Sequence, residues 1–128
     1  MIYLDTSVAL AHLLAEDRRP PDSLWQQPLV ASRLLEYELW TRLNARRLGG
    51  SHGELARRLL ERLALLEMLP NVLARALEPF PAPVRTLDAL QLASIEFLME
   101  RGQSVELGSY DERLVVAARA LGIPIAAI

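Results

Sequence analysis

The sequence predicts an α/β fold, a three-layer sandwich around a mainly parallel central sheet of four to five strands. Short apolar runs with strand character alternate with helical segments along the whole chain, which is typical of parallel βαβ architecture. Glycine, proline and helix-capping residues separate these runs at short intervals. A chain of 128 residues, 52% of them hydrophobic, is long enough to bury one core. We therefore expect a single domain over residues 1–128.

The first half of the chain predicts two buried strands and several helices. In chain order these are a strand over Met1–Leu4, a helix from Ser7 to Ala15, a short helix starting at Asp22 or Ser23, a strand over Pro28–Ala31, a helix from Ser32 to Leu48 and a helix from Ser51 or His52 to Leu66. Asp5 and Ser32 precede helical runs and carry side chains that cap helix N-termini. The pair Gly49-Gly50 predicts a helix end, and leucines at helical spacing extend the next helix to Leu66.

The second half continues the same alternation. Its predicted elements are an edge strand over Glu67–Pro70, one or two helical turns over Val72–Leu77, a proline-rich loop over Pro79–Pro83, a helix over Leu87–Arg101, a strand over Ser104–Leu107, a helix over Asp111–Leu121 and a closing strand over Ile123–Ile128. Thr86 is the expected N-cap of the longest of these helices. Gly102 and Gly122 follow helical runs at positions where glycine ends a helix.

Composition excludes several function classes. The chain has no cysteine, which excludes disulfides, thiolate zinc sites and thiol nucleophiles. It has no lysine, so neither Schiff-base chemistry nor a lysine-containing phosphate-binding loop is available. No apolar run is long enough to span a membrane, and the N-terminus reads as a core strand, so we expect a cytoplasmic protein. The net charge of −2 neither predicts nor excludes a phosphate-bearing substrate.

Four acidic residues stand out, each in an apolar stretch where a strand ends or a helix begins: Asp5, Glu38, Asp88 and Asp111. In a parallel sheet these positions lie at the carboxyl edge, where ligands bind. Two carboxylates about 4 Å apart repel by roughly 1 kcal/mol in water and roughly 4 kcal/mol near a protein surface. A hard divalent cation, Mg²⁺ or Mn²⁺, would hold them together, because such ions prefer oxygen ligands.

Each acid also has an ordinary structural explanation. Asp5 is a possible helix N-cap. Asp88 and Asp111 occupy first turns, where the helix dipole favours a negative charge. Glu38 lies four residues before Arg42, a spacing that suits a surface ion pair. These explanations are weaker for the set as a whole, because Asp5 and Asp88 adjoin apolar segments where an unpaired charge is costly to bury.

Four motifs in a fixed order resemble those of PIN-domain ribonucleases, and among these the VapC toxins of toxin–antitoxin pairs. The motifs are Leu4-Asp-Thr-Ser7, Ser32-Arg-Leu-Leu-Glu-Tyr-Glu38-Leu, Arg85-Thr-Leu-Asp88-Ala-Leu-Gln-Leu-Ala93 and Ser109-Tyr-Asp111-Glu-Arg-Leu114. The resemblance covers essentially the whole chain and implies a PIN-like fold and a metal-dependent endoribonuclease that cuts RNA.

The resemblance also implies roles for individual residues. Catalysis and binding of Mg²⁺ or Mn²⁺ fall to Asp5, Glu38, Asp88 and Asp111. The hydroxyls of Thr6, Ser7 and Ser109 are expected to support these acids. Independently of the resemblance, arginine suits phosphate contacts, which makes Arg42, Arg46 and Arg85 candidates for contact with the RNA backbone. Glu36 rivals Glu38, but the resemblance favours the acid that directly precedes an apolar residue at this depth in the helix.

The resemblance implies three partners: an RNA substrate, a VapB-like antitoxin and a second copy of the chain. Trp25, Tyr37 and Trp40 could anchor an interface, but core packing is the favoured explanation for them. A PIN-like fold that only binds, without catalysis, is one alternative. A receiver-like phosphorylation switch is another, disfavoured because such switches rely on a lysine and this chain has none. A third keeps the nuclease chemistry but directs it at DNA or structured RNA.

Overall fold

A computed structural model describes all 128 residues, and its centre is a four-stranded sheet in which every strand is parallel to its neighbours. The strands are β1 (Ile2–Leu4), β2 (Leu29–Ser32), β3 (Ala64–Leu66) and β4 (Glu106–Gly108). Their order across the sheet is β3-β2-β1-β4. In the register, Tyr3 stands opposite Val30 on one side and Leu107 on the other.

Six α-helices and one 3₁₀ helix connect the strands. The α-helices are α1 (Thr6–Leu13), α2 (Leu34–Ala45), α3 (Gly49–Glu61), α4 (Pro70–Ala76), α5 (Thr86–Glu100) and α6 (Glu112–Ala120), and the 3₁₀ helix is Asp22–Gln26. None of them is both long and apolar enough to cross a membrane.

Two hydrophobic clusters pack against opposite faces of the sheet. Successive side chains of a strand point to opposite faces, so Ile2 and Leu4 join the cluster built with α1, α2 and α3. Tyr3 points the other way and joins the cluster built with α5 and α6. This arrangement confirms the predicted three-layer sandwich with a parallel central sheet.

The glycine pair does not end α2, as the sequence predicted, but begins α3. Helix α2 stops at Ala45, and Arg47 turns the chain with a left-handed φ of 57°. The Leu48 amide then bonds to the Leu43 carbonyl at 2.8 Å, which closes the turn. A non-glycine residue therefore takes the strained conformation that glycine usually provides.

The prediction that the helix starting at Ser51 or His52 continues to Leu66 is also wrong. Helix α3 ends at Glu61, and residues 64–66 form the edge strand β3. Residues 67–70, which we expected to form that strand, lie outside it. Strand β3 pairs with β2, where Ser32 stands opposite Leu66. Pairing with a neighbouring strand thus overrides the helical spacing of the leucines.

The chain end and several helix boundaries also differ from prediction. No strand forms at 123–128; Ile125 makes a single parallel bridge to Leu107. Helix α1 ends two residues early, at Leu13, and Ala15 adopts a φ of 50°. Ser32 ends β2 and Thr86 is the first residue of α5, so neither is the formal N-cap. The Ser32 hydroxyl still accepts a hydrogen bond from the Leu34 amide at 3.1 Å.

The large aromatic residues near β2 divide between core and surface. Trp25 and Trp40 are partly buried against the first cluster. The Trp25 ring lies 4.5 Å from that of His12, and the Arg57 guanidinium stacks over Trp40. Tyr37 is 65% exposed, so it is the aromatic residue among the three that is free to contact a partner.

Candidate active site

A cavity of about 350 Å³ lies at the carboxyl edge of the sheet and brings the four predicted acids together. Its lining residues are Asp5, Glu38, Arg42, Arg85, Thr86, Leu87, Asp88, Gln91 and Asp111. We call this cavity the acidic pocket. A neighbouring cavity of about 610 Å³ beside α4 and α5 is larger but mostly apolar, and it contains none of the four acids. Four carboxylates, and not size, identify the acidic pocket as the candidate site.

Asp5 is the most buried of the four, with 8% of its surface exposed. It directly follows β1 and is the N-cap of α1. Its Oδ2 atom accepts hydrogen bonds from the Ser7 hydroxyl at 2.6 Å and the Ser109 hydroxyl at 2.8 Å. Burial raises the pKa of Asp5, the two hydroxyls act in the opposite direction, and the Asp111 charge raises it further. No cationic side chain forms an ion pair with this carboxylate.

The two serine hydroxyls join the two halves of the site. Ser7 Oγ accepts a hydrogen bond from the Tyr110 amide at 3.0 Å, and Ser109 Oγ accepts one from the Asp111 amide at 3.0 Å. Each hydroxyl therefore donates to Asp5 and accepts from the loop between β4 and α6. This arrangement fixes the orientation of the Asp5 carboxylate relative to that loop.

Thr6 is also buried, but its hydroxyl does not bond to Asp5. The Thr6 oxygen has no hydrogen-bond partner in the structure. It lies close enough to Glu38 to lower the pKa of that carboxyl. Ser7 and Ser109 thus support Asp5 through hydrogen bonds, whereas the Thr6 hydroxyl forms no hydrogen bond to any of the four acids.

Glu38 reaches the acidic pocket from the second turn of α2. Burial and the Asp5 charge raise the pKa of Glu38, while Thr6, Arg42 and Gln91 lower it. The surface ion pair with Arg42 that the spacing suggested does not form. Its rival, Glu36, points elsewhere and pairs with Arg33 at 2.8 Å. The two glutamates are thus separated by helix geometry, since residues two apart face different sides of a helix.

Asp88 and Asp111 each bond to backbone amides at the start of their own helix, consistent with the role of a first-turn acid in stabilising a helix N-terminus. Asp88 Oδ2 accepts a hydrogen bond from the Arg85 amide at 3.3 Å. Asp111 Oδ1 accepts from the Arg113 amide at 3.0 Å and the Leu114 amide at 3.5 Å. In each case the other carboxylate oxygen makes no hydrogen bond within the protein, so capping leaves a ligand atom available.

The predicted arginines do not all reach this site. Arg42 and Arg85 line the acidic pocket, where they could meet phosphate groups. Arg46 lies at the C-terminal end of α2, outside the lining.

Sequence reasoning missed Gln91, which lines the pocket and donates from Nε2 to Glu38 Oε1 at 3.2 Å. One signal could have revealed it: a polar residue three positions after Asp88 falls on the same face of a helix that is otherwise apolar.

The four carboxylates of the acidic pocket offer oxygen ligands, which fit a hard cation such as Mg²⁺ or Mn²⁺. No three acidic or histidine side chains approach closely enough to form a metal cage from protein atoms alone. Mg²⁺ does not require such a cage, because it keeps several waters and binds through one or two carboxylates. The buried Asp5 carboxylate, which has no counter-charge, is the observation that favours a cation here.

Comparison with known proteins agrees with the geometry. The model of the PIN domain family matches residues 2–122. Ribonuclease VapC46 of Mycobacterium tuberculosis is 34% identical over 98% of this chain and 96% of its own length. The crystal structure of M. tuberculosis VapC20, a toxin that cleaves the sarcin-ricin loop, superposes with a TM-score of 0.66 at 22% identity, covering 91% of this chain and 95% of that one. A crystal structure from Pyrobaculum aerophilum gives a TM-score of 0.61 at 19% identity, covering 94% and 89%.

Proposed function

The chain belongs to the PIN-domain family, and on this basis we propose that it is a metal-dependent endoribonuclease, the toxin of a VapBC-type toxin–antitoxin pair. Its substrate is RNA, and its reaction is hydrolysis of a phosphodiester bond. The observation that carries the proposal is the convergence of Asp5, Glu38, Asp88 and Asp111 on one pocket that also presents two arginines.

The metal would be held among Asp5, Asp88 and Asp111, by one or two of these carboxylates directly and by the rest through bound water, with Glu38 as a further ligand or as the base that orients water. A bound Mg²⁺ or Mn²⁺ supplies stabilisation for the charge that builds on the phosphate and activates water for attack. Ser7 and Ser109 keep the Asp5 carboxylate turned toward the pocket through bonds of 2.6 and 2.8 Å. Glu38 has a raised pKa, which suits a carboxylate that accepts a proton from the attacking water.

The two pocket arginines would position the RNA. Arg42 lies one helical turn beyond Glu38, and Arg85 directly precedes α5. Guanidinium groups bind phosphate oxygens in a bidentate manner and carry no sequence preference in such contacts. They would therefore hold the RNA backbone across the carboxylates.

The proposed partners follow from family membership. A VapB-like antitoxin would cover the acidic pocket and so block access by RNA. A homodimer is part of the same proposal, and Tyr37 is exposed and available to contact either partner.

The test compares wild type with Asp5→Asn and Asp88→Asn on a labelled pool of tRNA and mRNA, with and without EDTA. We expect wild type to cleave only with metal, and both variants to lose cleavage while keeping the circular dichroism spectrum of the fold. Full activity in both variants would refute the proposed chemistry. A wild-type protein that binds no Mn²⁺ and cuts no RNA would favour a PIN-like binding module.

A further inference from the structure

Gln91 is a polar side chain placed where the packing of α5 would otherwise favour an apolar one. It is 3% exposed and lies among the buried residues that α5 presents to the sheet. Both ends of its amide group are engaged. Nε2 donates to Glu38 Oε1 at 3.2 Å, and Oε1 accepts a hydrogen bond from the Tyr3 hydroxyl. A continuous hydrogen-bonded chain therefore runs from the centre of β1 to the acidic pocket.

The Glu38 carboxylate determines which way the amide faces. An ionised Glu38 can only accept hydrogen bonds, so it requires the NH₂ end of Gln91. Tyr3 has no exposed surface, and burial raises the pKa of its hydroxyl, which therefore keeps its proton and donates to the amide oxygen. Reversing the amide would place two acceptors against each other at Glu38. The Tyr3 hydroxyl can donate or accept, so Glu38 fixes the orientation of the amide and Tyr3 anchors its far end.

The amide restrains one oxygen of Glu38 and leaves the other free. Oε1 receives the hydrogen bond, whereas Oε2 makes no hydrogen bond within the protein. Glu38 comes from α2 and Gln91 from α5, so this contact also joins the helices on opposite faces of the sheet. Without it, the Glu38 side chain would be free to rotate away from the other three acids.

We propose that Gln91 is a positioning residue that holds Glu38 toward the acidic pocket, and that the Tyr3 hydroxyl anchors the other end of the Gln91 amide. This inference rests on the proposed function, because it assigns Glu38 a part in binding the metal. A hydrogen-bond partner behind a metal ligand typically changes metal affinity by roughly 10- to 100-fold when it is removed.

The experiment titrates Mn²⁺ into metal-free protein by calorimetry, without RNA, for wild type, Gln91→Leu, Tyr3→Phe and Tyr37→Phe. Tyr37→Phe is the matched control, because it removes a hydroxyl from a 65% exposed side chain that does not line the acidic pocket. We expect Gln91→Leu to weaken Mn²⁺ binding by roughly tenfold. Tyr3→Phe should produce a smaller loss in the same direction, and Tyr37→Phe should leave affinity unchanged.

A second readout is available in the wild type itself, which avoids a variant that might fail to fold. In wild-type protein without metal, the side-chain amide protons of Gln91 should show nuclear Overhauser contacts to the Glu38 methylene protons. In Tyr3→Phe, compared with the wild type, these contacts should weaken, because the Gln91 amide has lost the hydrogen bond that anchors its other end. A role confined to core packing would change melting temperature in these variants but would not move both the NMR contacts and the Mn²⁺ affinity.

The outcomes separate the two levels of the argument. Wild type that binds Mn²⁺ and cuts RNA, with Gln91→Leu and Tyr3→Phe binding Mn²⁺ equally well, overturns the positioning role alone. Absence of the Gln91–Glu38 contacts in wild type also overturns it. Wild type that neither binds Mn²⁺ nor cuts RNA overturns the proposed function and this inference together.

Discussion

Replacing Asp5 with asparagine should stabilise the metal-free protein while it abolishes cleavage. Asp5 is almost fully buried, has no cationic partner, and has a pKa raised by that burial. Keeping Asp5 ionised in the folded state therefore costs free energy when no metal is bound. Asparagine has nearly the same shape, and its carbonyl can still accept from Ser7 and Ser109. It is also as good a helix N-cap as aspartate, so α1 should keep its start.

The magnitude comes from opposing contributions at this one carboxylate. Loss of the charge sacrifices about 0.3–1 kcal/mol of interaction with the N-terminus of α1. The two hydroxyl bonds also weaken, from roughly 1.5–3 kcal/mol each for a charged acceptor to roughly 0.5–1.5 kcal/mol for a neutral one. Against these losses stands a desolvation penalty of several kcal/mol for a buried charge. Because the pKa of Asp5 is raised, we infer that the desolvation penalty exceeds the stabilisation from the two hydroxyls.

We expect a net gain of about 1 kcal/mol, the small difference between the desolvation penalty that is relieved and the interactions that are lost. For a domain of this size, such a gain raises the melting temperature by roughly 3–5 °C. The assay is thermal unfolding by calorimetry in EDTA at neutral pH. Asp17→Asn is the matched control, because Asp17 is exposed, forms no ion pair and lies outside the pocket. It should leave the melting temperature unchanged.

The same carboxylate predicts how stability depends on pH. Since the folded-state pKa of Asp5 is raised, the folded protein holds a proton that the unfolded chain has already released. Stability of the wild type should therefore fall as pH rises from the ordinary carboxyl pKa through the raised one. Asp5→Asn should show a shallower fall, because Glu38, which also has a raised pKa, remains and contributes with the same sign.

Bound Mn²⁺ should remove the destabilisation that the buried Asp5 charge causes in the wild type. A ligand at 100 times its dissociation constant stabilises the folded state by about 2.7 kcal/mol. Wild type should gain stability on this scale, and Asp5→Asn should gain much less. A variant that melts below wild type in EDTA would refute the claim that an unpaired buried charge destabilises the site.

Three further predictions concern substrate, backbone and core. Arg42→Ala should weaken RNA binding and reduce the slope of log affinity against log salt concentration by about 0.7, the value for one phosphate contact in single-stranded RNA. The control Arg119→Ala, at the far end of α6, should leave both quantities unchanged. Equal slopes for the two variants would contradict a phosphate contact at Arg42. Gly50→Ala, where nothing lies within 4 Å of the added carbon, should stabilise α3 by up to about 1 kcal/mol. Gly102→Ala, at a φ of 80°, should instead destabilise the protein by roughly 1–2 kcal/mol. Urea unfolding measures both, and effects of the same sign would contradict the helical conformation of Gly50 or the left-handed conformation of Gly102. Leu39→Ala, in the centre of α2 with no exposed surface, should cost roughly 2–5 kcal/mol in the same assay, and a loss below about 1 kcal/mol would mean that this core site is less tightly packed than the structure indicates.

Local chemistry made much of the fold predictable from the sequence. The apolar runs at Ile2–Leu4 and Leu29–Ser32 are too short and too uniformly buried for anything but core strands. Asp5 and Asp111 have the side chains that start helices, and both are N-caps in the structure. Parallel order then follows from alternation of strands and helices, and it places the acids that follow β1 and β4 at one edge.

Other features depended on contacts between residues far apart in the chain. Leu66 fits a helical stripe of leucines, yet it pairs with Ser32 because β2 offers an open edge with unpaired backbone groups. Glu36 and Glu38 lie two residues apart, and the family resemblance favoured Glu38. The packing of α2 against the sheet directs Glu36 to Arg33 and Glu38 to the acidic pocket. The position of the Gln91 amide depends on a hydrogen bond from Tyr3, 88 positions away in the chain. The sequence by itself determined which elements form and which chemical groups they carry, since both depend on short-range interactions. The tertiary structure alone decided which of those groups meet, because contact across the sheet depends on how the layers pack.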